Sequence, residues 1–330
     1  ENYAPREIRI YSRSELKQWE MKKRFNNDKR IKYIIGDVRD VEALGIAIRG
    51  ADTIFHLAAL KHVPVCEENP NEVVITNILG TKNVIGTAIE HDVKQVIFVS
   101  TDKAVNPLNL YGVTKACAEK LIIAANNRSS NTKFTCIRGG NVLGTNGSVV
   151  PLFREQILKK GKITITDRRM TRFFLSLEDA IKLLFKAVEL SIGGEIFVMR
   201  MPAVKIEDLG DVMIKSLTHG ANRATVEEIG IRPGEKIHEV LVSHYESGRV
   251  VEHENYMIIL PLINLPKVKE YYKNATLVDN GEFTSLNTKM LNKLEISDML
   301  NKEHWLDKEK TEEVFDIKKK FEPPTGSSWT

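Results

Sequence analysis

Apolar, β-branched runs of strand length alternate with amphipathic stretches of helix length through the first 138 residues, and this rhythm restricts the fold more than any other feature. Ile8–Tyr11, Ile31–Ile35, Thr53–Leu57, Val96–Ser100 and Phe134–Arg138 read as buried strands. Ser14–Arg24, Val41–Arg49, Val73–His91 and Leu110–Asn126 read as the helices between them. Strands so uniformly apolar must be covered on both faces, which a parallel sheet with helical crossovers achieves. Right-handed crossovers then predict an α/β, doubly wound parallel sheet, with ligands bound beyond the carboxyl ends of its strands.

The chain past Pro151 is mixed, with short elements as far as Leu260. This predicts a cofactor-binding core at 1–150, a smaller mixed α/β lobe interleaved with it at 151–306, and a charged, loosely ordered tail at 307–330. A dinucleotide-binding sheet normally opens with a strand, a glycine-rich turn and a helix that receives the pyrophosphate. No such turn precedes Ile8, so Ile8–Tyr11 is expected to be the second strand of the fold. A further strand–turn–helix unit of about 30 residues is expected ahead of it.

With 330 residues, 42% hydrophobic, the chain can bury a large core without metals or disulfides. Cys66, Cys117 and Cys136 have neither paired nor metal-like spacing, which predicts reduced thiols and a cytoplasmic location. No apolar run approaches the ~20 residues needed to span a bilayer. His56 and His62 lack a suitably spaced third ligand, so no metal is expected. The net charge is +4, without a basic stripe carrying aromatics. That argues against nucleic acid and suits a phosphate-bearing small molecule.

Two clusters carry chemistry. Tyr111 and Lys115 are one helical turn apart on one face, where a lysine can favour phenolate and make the tyrosine a general base toward a hydroxyl. That spacing alone is common. Here it follows Ser100-Thr101-Asp102-Lys103 at the carboxyl end of a predicted strand, where polar side chains are costly to bury without partners. The second cluster is Tyr11-Ser12-Arg13, at the strand end where an NAD-binding chain carries an acidic residue. A hydroxyl and a guanidinium suit a 2′-phosphate instead, which predicts NADP.

Ser100–Lys115, reading S-T-D-K-A-V-N-P-L-N-L-Y-G-V-T-K, resembles the inverting UDP-N-acetylglucosamine 4,6-dehydratases, which are Rossmann-like extended short-chain dehydrogenases/reductases. The resemblance continues in H-L-A-A-L-K-H-V-P at His56–Pro64, G-N-V-L-G at Gly140–Gly144 and M-T-R-F-F at Met170–Phe174. G-G-E-I-F-V at Gly193–Val198 and I-R-P-G-E-K-I-H-E at Ile231–Glu239 extend it further. It implies a lyase that dehydrates UDP-N-acetylglucosamine to a 4-keto-6-deoxy product with inversion at C5, toward pseudaminic acid or a capsule or lipopolysaccharide sugar. Thr101, Asp102, Lys103, Tyr111 and Lys115 are the implied catalytic set. Asp37 and Val38 would contact adenine, while Ala58, Ala59 and Lys61, with Tyr111 and Lys115, would wall the nicotinamide ribose. Lys61, Asn141, Arg172, Arg232 and Glu235 would hold the UDP-sugar. A dimer or hexamer of like subunits is implied as well. The chain departs from the family in lacking the glycine turn and in having Gly139 where tyrosine is usual. Two alternatives stay open: a UDP-sugar 4-epimerase, which would not need Asp102-Lys103, and a cofactor-deficient binding or scaffold protein.

Overall fold

The computed structural model describes residues 4–145, 147–218, 224–278 and 281–307. The chain opens with β1 (Ile8–Ser12), α1 (Glu15–Arg24), β2 (Ile31–Ile35), α2 (Val41–Ile48) and β3 (Thr53–His56). It continues through α3 (Val63–Glu68), α4 (Pro70–Val73), a π-helical segment (Val74–Leu79), α5 (Gly80–Glu90), β4 (Gln95–Thr101), α6 (Leu110–Ala125) and β5 (Lys133–Gly139). Side-chain caps set several helix starts: Ser14 accepts from the Lys17 amide, Asp40 from Ala43 and Asn109 from Gly112. The stretch expected as one helix over Val73–His91 is instead broken by the π-helical segment. Buried Thr76 and Asn77 lie within it, and the Thr81 hydroxyl donates back to the Asn77 carbonyl at 2.7 Å.

The chain then runs through β6 (Asn141–Val142), α7 (Val149–Lys160), β7 (Lys162–Ile165) and β8 (Thr171–Leu175) before α8 (Leu177–Leu190) and β9 (Ile196–Met199). After β10 (Ala203–Lys205), α9 (Ile206–Leu217) and β11 (Thr225–Glu228) come β12 (Val240–Val242), α10 (His244–Ser247), β13 (Val250–His253) and β14 (Tyr256–Ile259). The last elements are α11 (Pro266–Tyr271), β15 (Phe283–Thr284) and α12 (Lys293–Lys302).

Packing divides the chain differently from the expected 1–150 and 151–306. One unit combines the chain up to Gly140 with Leu175–Arg200 and Pro233–Thr284. The other combines, among the described residues, Asn141–Phe174, Met201–Arg232 and the chain from Ser285 to Asp307. The physical reason is sheet extension: β9 pairs in parallel with β5, then β14 and β13 add antiparallel strands beyond it. These later segments therefore belong to the core. The tail expected at 307–330 lies, beyond Asp307, outside the described residues.

In the first unit a six-stranded sheet has the order β13-β14-β9-β5-β4-β3, and β1 pairs with β2 in a separate parallel pair. The expected doubly wound α/β sheet is thus present in two pieces. Phe98, Phe134 and Phe197, from adjacent strands, are at most 1% exposed and form part of its core. The second unit has its own core, in which Phe153, Ile163, Phe174, Leu209, Ile296 and Leu300 come together. Among the described residues no helix is long and apolar enough to cross a membrane.

Candidate active site

β4 is buried between β3 and β5 and delivers Thr101 to the carboxyl edge of the sheet. A single 3-10 turn, Asp102–Ala104, follows at once, with the Thr101 hydroxyl accepting from the Lys103 amide at 3.4 Å. α6 begins beside this turn. A Cβ at Gly112 would lie 2.2 Å from the Lys103 carbonyl oxygen, so only glycine lets the first turn of α6 approach this closely. That approach brings Tyr111, Thr101, Asp102 and Lys103 together.

The Asp102 carboxylate is fully buried. Its Oδ1 accepts from Thr101 Oγ1 at 3.0 Å and from Lys103 Nζ at 3.0 Å. Its Oδ2 is buried and has no hydrogen-bond partner among the described residues. Burial pushes the Asp102 carboxyl upward; Lys103 opposes this and the charge of Glu239 adds to it. The Tyr111 phenol is likewise pushed up by burial, while Lys103 and a hydrogen bond with Thr101 pull it back. Lys115 lies deeper: its Nζ donates to the Val99 carbonyl at 2.6 Å and sits 3.9 Å from the centroid of the Phe98 ring. Burial lowers the Lys115 amine to about 7, against the opposing charge of Glu119. The cation acting most strongly on Tyr111 is therefore Lys103, beside the lysine of the helical pair.

Residues expected at the adenine end of a cofactor and two of those expected beside its nicotinamide ribose share one cleft. It measures about 2140 Å³ and is lined by Ser12, Arg13, Asp37, Val38, Ala58 and Ala59 among others, with Lys61, Tyr111 and Lys115 outside its lining. Ser12 Oγ accepts from Gln18 at 3.0 Å, which leaves its O–H able to donate. The Arg13 side chain is 53% exposed, with its guanidinium 3.7 Å from Asp37. Burial opposes it, yet Arg39, hydrogen-bonded to Asp37 at 2.8 Å, and Arg13 hold the Asp37 carboxyl below its usual range. An exposed guanidinium next to a hydroxyl fits a phosphate monoester on a ribose. Burial also lowers Lys61, helped by the charges of Lys17 and Lys103.

The expected UDP ligands divide between the two units. Asn141, Arg172 and Arg232 belong to the second, and Lys61 and Glu235 to the first. Arg172, on β8, donates to the Thr171 carbonyl at 2.8 Å; Arg232 is exposed. Buried His56 shares a hydrogen bond of 2.9 Å with Thr81 and is lowered to about 3 by burial and by Lys115, the properties of a neutral structural imidazole. Among the described residues no group of three or more His, Cys, Asp or Glu could hold a metal ion.

Two residues here were not singled out from the sequence. Asn77, presented by the π-helical segment, exchanges hydrogen bonds of 2.8 and 3.0 Å with the backbone of Leu60 and donates to Thr114 Oγ1 at 3.0 Å. It ties the Ala58–Lys61 segment to α6. Glu239, whose Oε1 is 3.5 Å from Lys103 Nζ, ends the motif at Ile231–Glu239, but nothing in that motif marks it as a partner of Lys103.

A family model described as "Polysaccharide biosynthesis protein" matches residues 1–261. The chain is 47% identical over 285 residues to a UDP-N-acetylglucosamine 4,6-dehydratase (inverting) of Campylobacter jejuni, covering 86% of this chain and 83% of that protein. It is also 43% identical over 303 residues to a UDP-glucose 4-epimerase of Rickettsia rickettsii, covering 89% of this chain and 86% of that one. Among solved structures, Pen from Bacillus thuringiensis superposes with a TM-score of 0.83 at 40% identity, covering 90% of each chain.

Proposed function

The chain belongs to the polysaccharide biosynthesis protein family, and on that premise we propose that it is an NADP-dependent hydro-lyase acting on UDP-N-acetylglucosamine. The product is a UDP-4-keto-6-deoxy-N-acetylhexosamine with C5 inverted, an intermediate for a glycan sugar of the pseudaminic acid, capsule or lipopolysaccharide kind. The observation that carries this reading is the Asp102–Lys103 pair at 3.0 Å, set beside Tyr111 and Thr101 at the carboxyl end of β4. A relative named as an inverting 4,6-dehydratase, at 47% identity, supports it.

When bound, NADP supplies a hydride acceptor for sugar C4 and returns the same hydride to C6. Tyr111 takes the O4 proton, with Thr101 hydrogen-bonded to the same oxygen and the Lys103 charge favouring phenolate. The resulting ketone acidifies the C5 proton. Lys103, once neutral, removes that proton, and Asp102 donates its own to O6, which leaves as water. Lys115 serves the cofactor ribose. C5 is reprotonated on the opposite face, so the balance is substrate to product plus water with no net oxidation. Arg13 and Ser12 read the 2′-phosphate, while Lys61, Asn141, Arg172, Arg232 and Glu235 serve the UDP-sugar. Free thiols at Cys66, Cys117 and Cys136 support a reducing cytoplasm. Assembly of like subunits is part of the same reading.

A 4-epimerase is the second reading, favoured by the Rickettsia relative of that name. An epimerase returns the hydride to C4 and never touches C5. Incubation with UDP-N-acetylglucosamine in deuterated water, followed by NMR, separates the two. Dehydration gives a 4-keto-6-deoxy product labelled at C5. Interconversion with the 4-epimer and no label at C5 overturns the dehydratase reading. Lys103→Ala is expected to reduce NADP transiently while releasing no keto product and leaving recovered substrate unlabelled at C5.

A further inference from the structure

Gln18 is the buried residue of α1, at 5% exposure, while Leu16 and Trp19 on the same helix are 47% and 48% exposed. A helix that turns an amide inward in place of its apolar side chains loses stability unless hydrogen bonds satisfy that amide. Here they do. Gln18 Nε2 lies 2.9 Å from the Ile34 carbonyl on β2 and 3.0 Å from Ser12 Oγ at the end of β1. The Ser12 and Ile10 carbonyls stand at 3.2 and 3.4 Å. Carbonyl oxygens only accept, so the NH2 of the amide faces the strand ends and the Ser12 hydroxyl accepts from it. Ser12 and Arg13 line the large cleft, and Gln18 lies outside its lining. The amide therefore reaches a ligand in that cleft only through Ser12.

Resting on the reading of Ser12 and Arg13 as the residues that select NADP, we propose that Gln18 is a positioning residue for cofactor choice: by donating to Ser12 Oγ it turns the Ser12 hydroxyl proton toward the ribose 2′-phosphate. An oxygen that accepts from an N–H directs its own proton away from that donor. The carbonyls around the amide are acceptors too, and without the amide hydrogens they compete for the Ser12 proton. A phosphate oxygen only accepts, so a hydroxyl held as a donor suits it, and the bond to a charged acceptor is strong. The 2′-hydroxyl of NAD both donates and accepts, so it gains little from a neighbour held in one role. Selectivity is a difference of affinities, and the amide acts on that difference. Arg13, 53% exposed, supplies charge at the same place, while buried Gln18 supplies direction.

The test titrates NADP and NAD into the full-length parent, Gln18→Met, Ser12→Ala and the double variant. Methionine keeps the reach of the side chain and removes its N–H donors. Ser12→Ala is expected to lower the preference for NADP over NAD about tenfold, the worth of one hydrogen bond to a charged group. Gln18→Met is expected to lower it about three- to fivefold, because the hydroxyl remains but is no longer directed. The double variant is expected to match Ser12→Ala, since Gln18 acts through Ser12. A glutamine that only ties α1 to the strands would weaken both cofactors together. An unchanged preference in Gln18→Met therefore overturns the inference, as does a double variant whose loss is the product of the two single losses. Side-chain amide NMR of the parent is independent of the variants. The Gln18 Nε2 protons are expected to shift on saturation with NADP and to stay in place with NAD, because a phosphate that draws on the Ser12 proton makes Oγ a stronger acceptor. Equal responses to the two cofactors overturn the proposal even where Gln18→Met fails to fold. A parent without a preference for NADP fails the NADP reading itself. A parent whose preference is lost in Ser12→Ala and kept in Gln18→Met fails only the role of Gln18.

Discussion

At the residue scale, the site combines groups that oppose each other's ionisation. Tyr111 is buried enough to resist becoming a phenolate, and Lys103 and Thr101 offset that. Tyr111→Phe keeps the ring and removes the phenolic hydroxyl, with its hydrogen bond to Thr101. It is expected to fold with the parent's melting temperature and to lose about 10²–10⁴ in turnover, the usual worth of general base catalysis. Single-turnover reduction of NADP by UDP-N-acetylglucosamine measures this, and a variant within a few-fold of the parent rate removes Tyr111 from its role. Arg13 offers a second test because its guanidinium is exposed and only 3.7 Å from Asp37. Arg13→Ala is expected to weaken NADP by about 1.5–3 kcal/mol and leave NAD nearly unchanged. Titration of both cofactors into both proteins checks it, and an unaltered preference excludes Arg13 as the reader of the phosphate.

At the scale of elements, a buried ion network joins β5, α6 and the segment from β12 to α10. Arg138 donates to both oxygens of Glu119 at 2.9 and 2.8 Å, to both oxygens of Glu246 at 3.0 and 2.8 Å, and to the Leu241 carbonyl at 2.9 Å. Glu119 lies one helical turn beyond Lys115, so the network holds α6 against the strand next to β4. Arg138→Met is expected to cost about 3–5 kcal/mol in denaturant unfolding, because two buried carboxylates lose their cation. Burial works against ionisation of Glu246, but Arg138 outweighs it and holds Glu246 at about 2, below its unfolded value of 4.5. A depressed folded-state pKa means that the unfolded chain takes up the proton first. The stabilisation is therefore complete above about pH 4.5 and is lost as pH falls toward 2. The parent's stability is expected to fall across that window and the Arg138→Met variant's to fall less. Equal slopes in the two proteins remove the network as the cause.

At the scale of the whole molecule, β1 pairs with β2, β3 pairs with β4, and β1 and β3 line the same cleft. Among the described residues each is an end strand of its sheet. The strands β1 to β5, the helices α1, α2 and α6 and the parallel sense of these strands were legible in the sequence, because hydrophobic periodicity is a local property that each segment carries by itself, whereas α3, α4 and the π-helical break at Val74–Leu79 were not. Thr101, Asp102, Lys103 and Tyr111 were legible for a related reason: one strand end and the helix start that follows it hold them all. The tertiary structure alone decided that Lys103 acts on Tyr111, that Asn77 bridges Leu60 and Thr114, and that Glu239 closes on Lys103. It also returned β9, β13 and β14 to the core sheet. These contacts join residues remote in sequence, and neither propensity nor spacing within any one segment encodes which remote partner packing and burial will bring into reach.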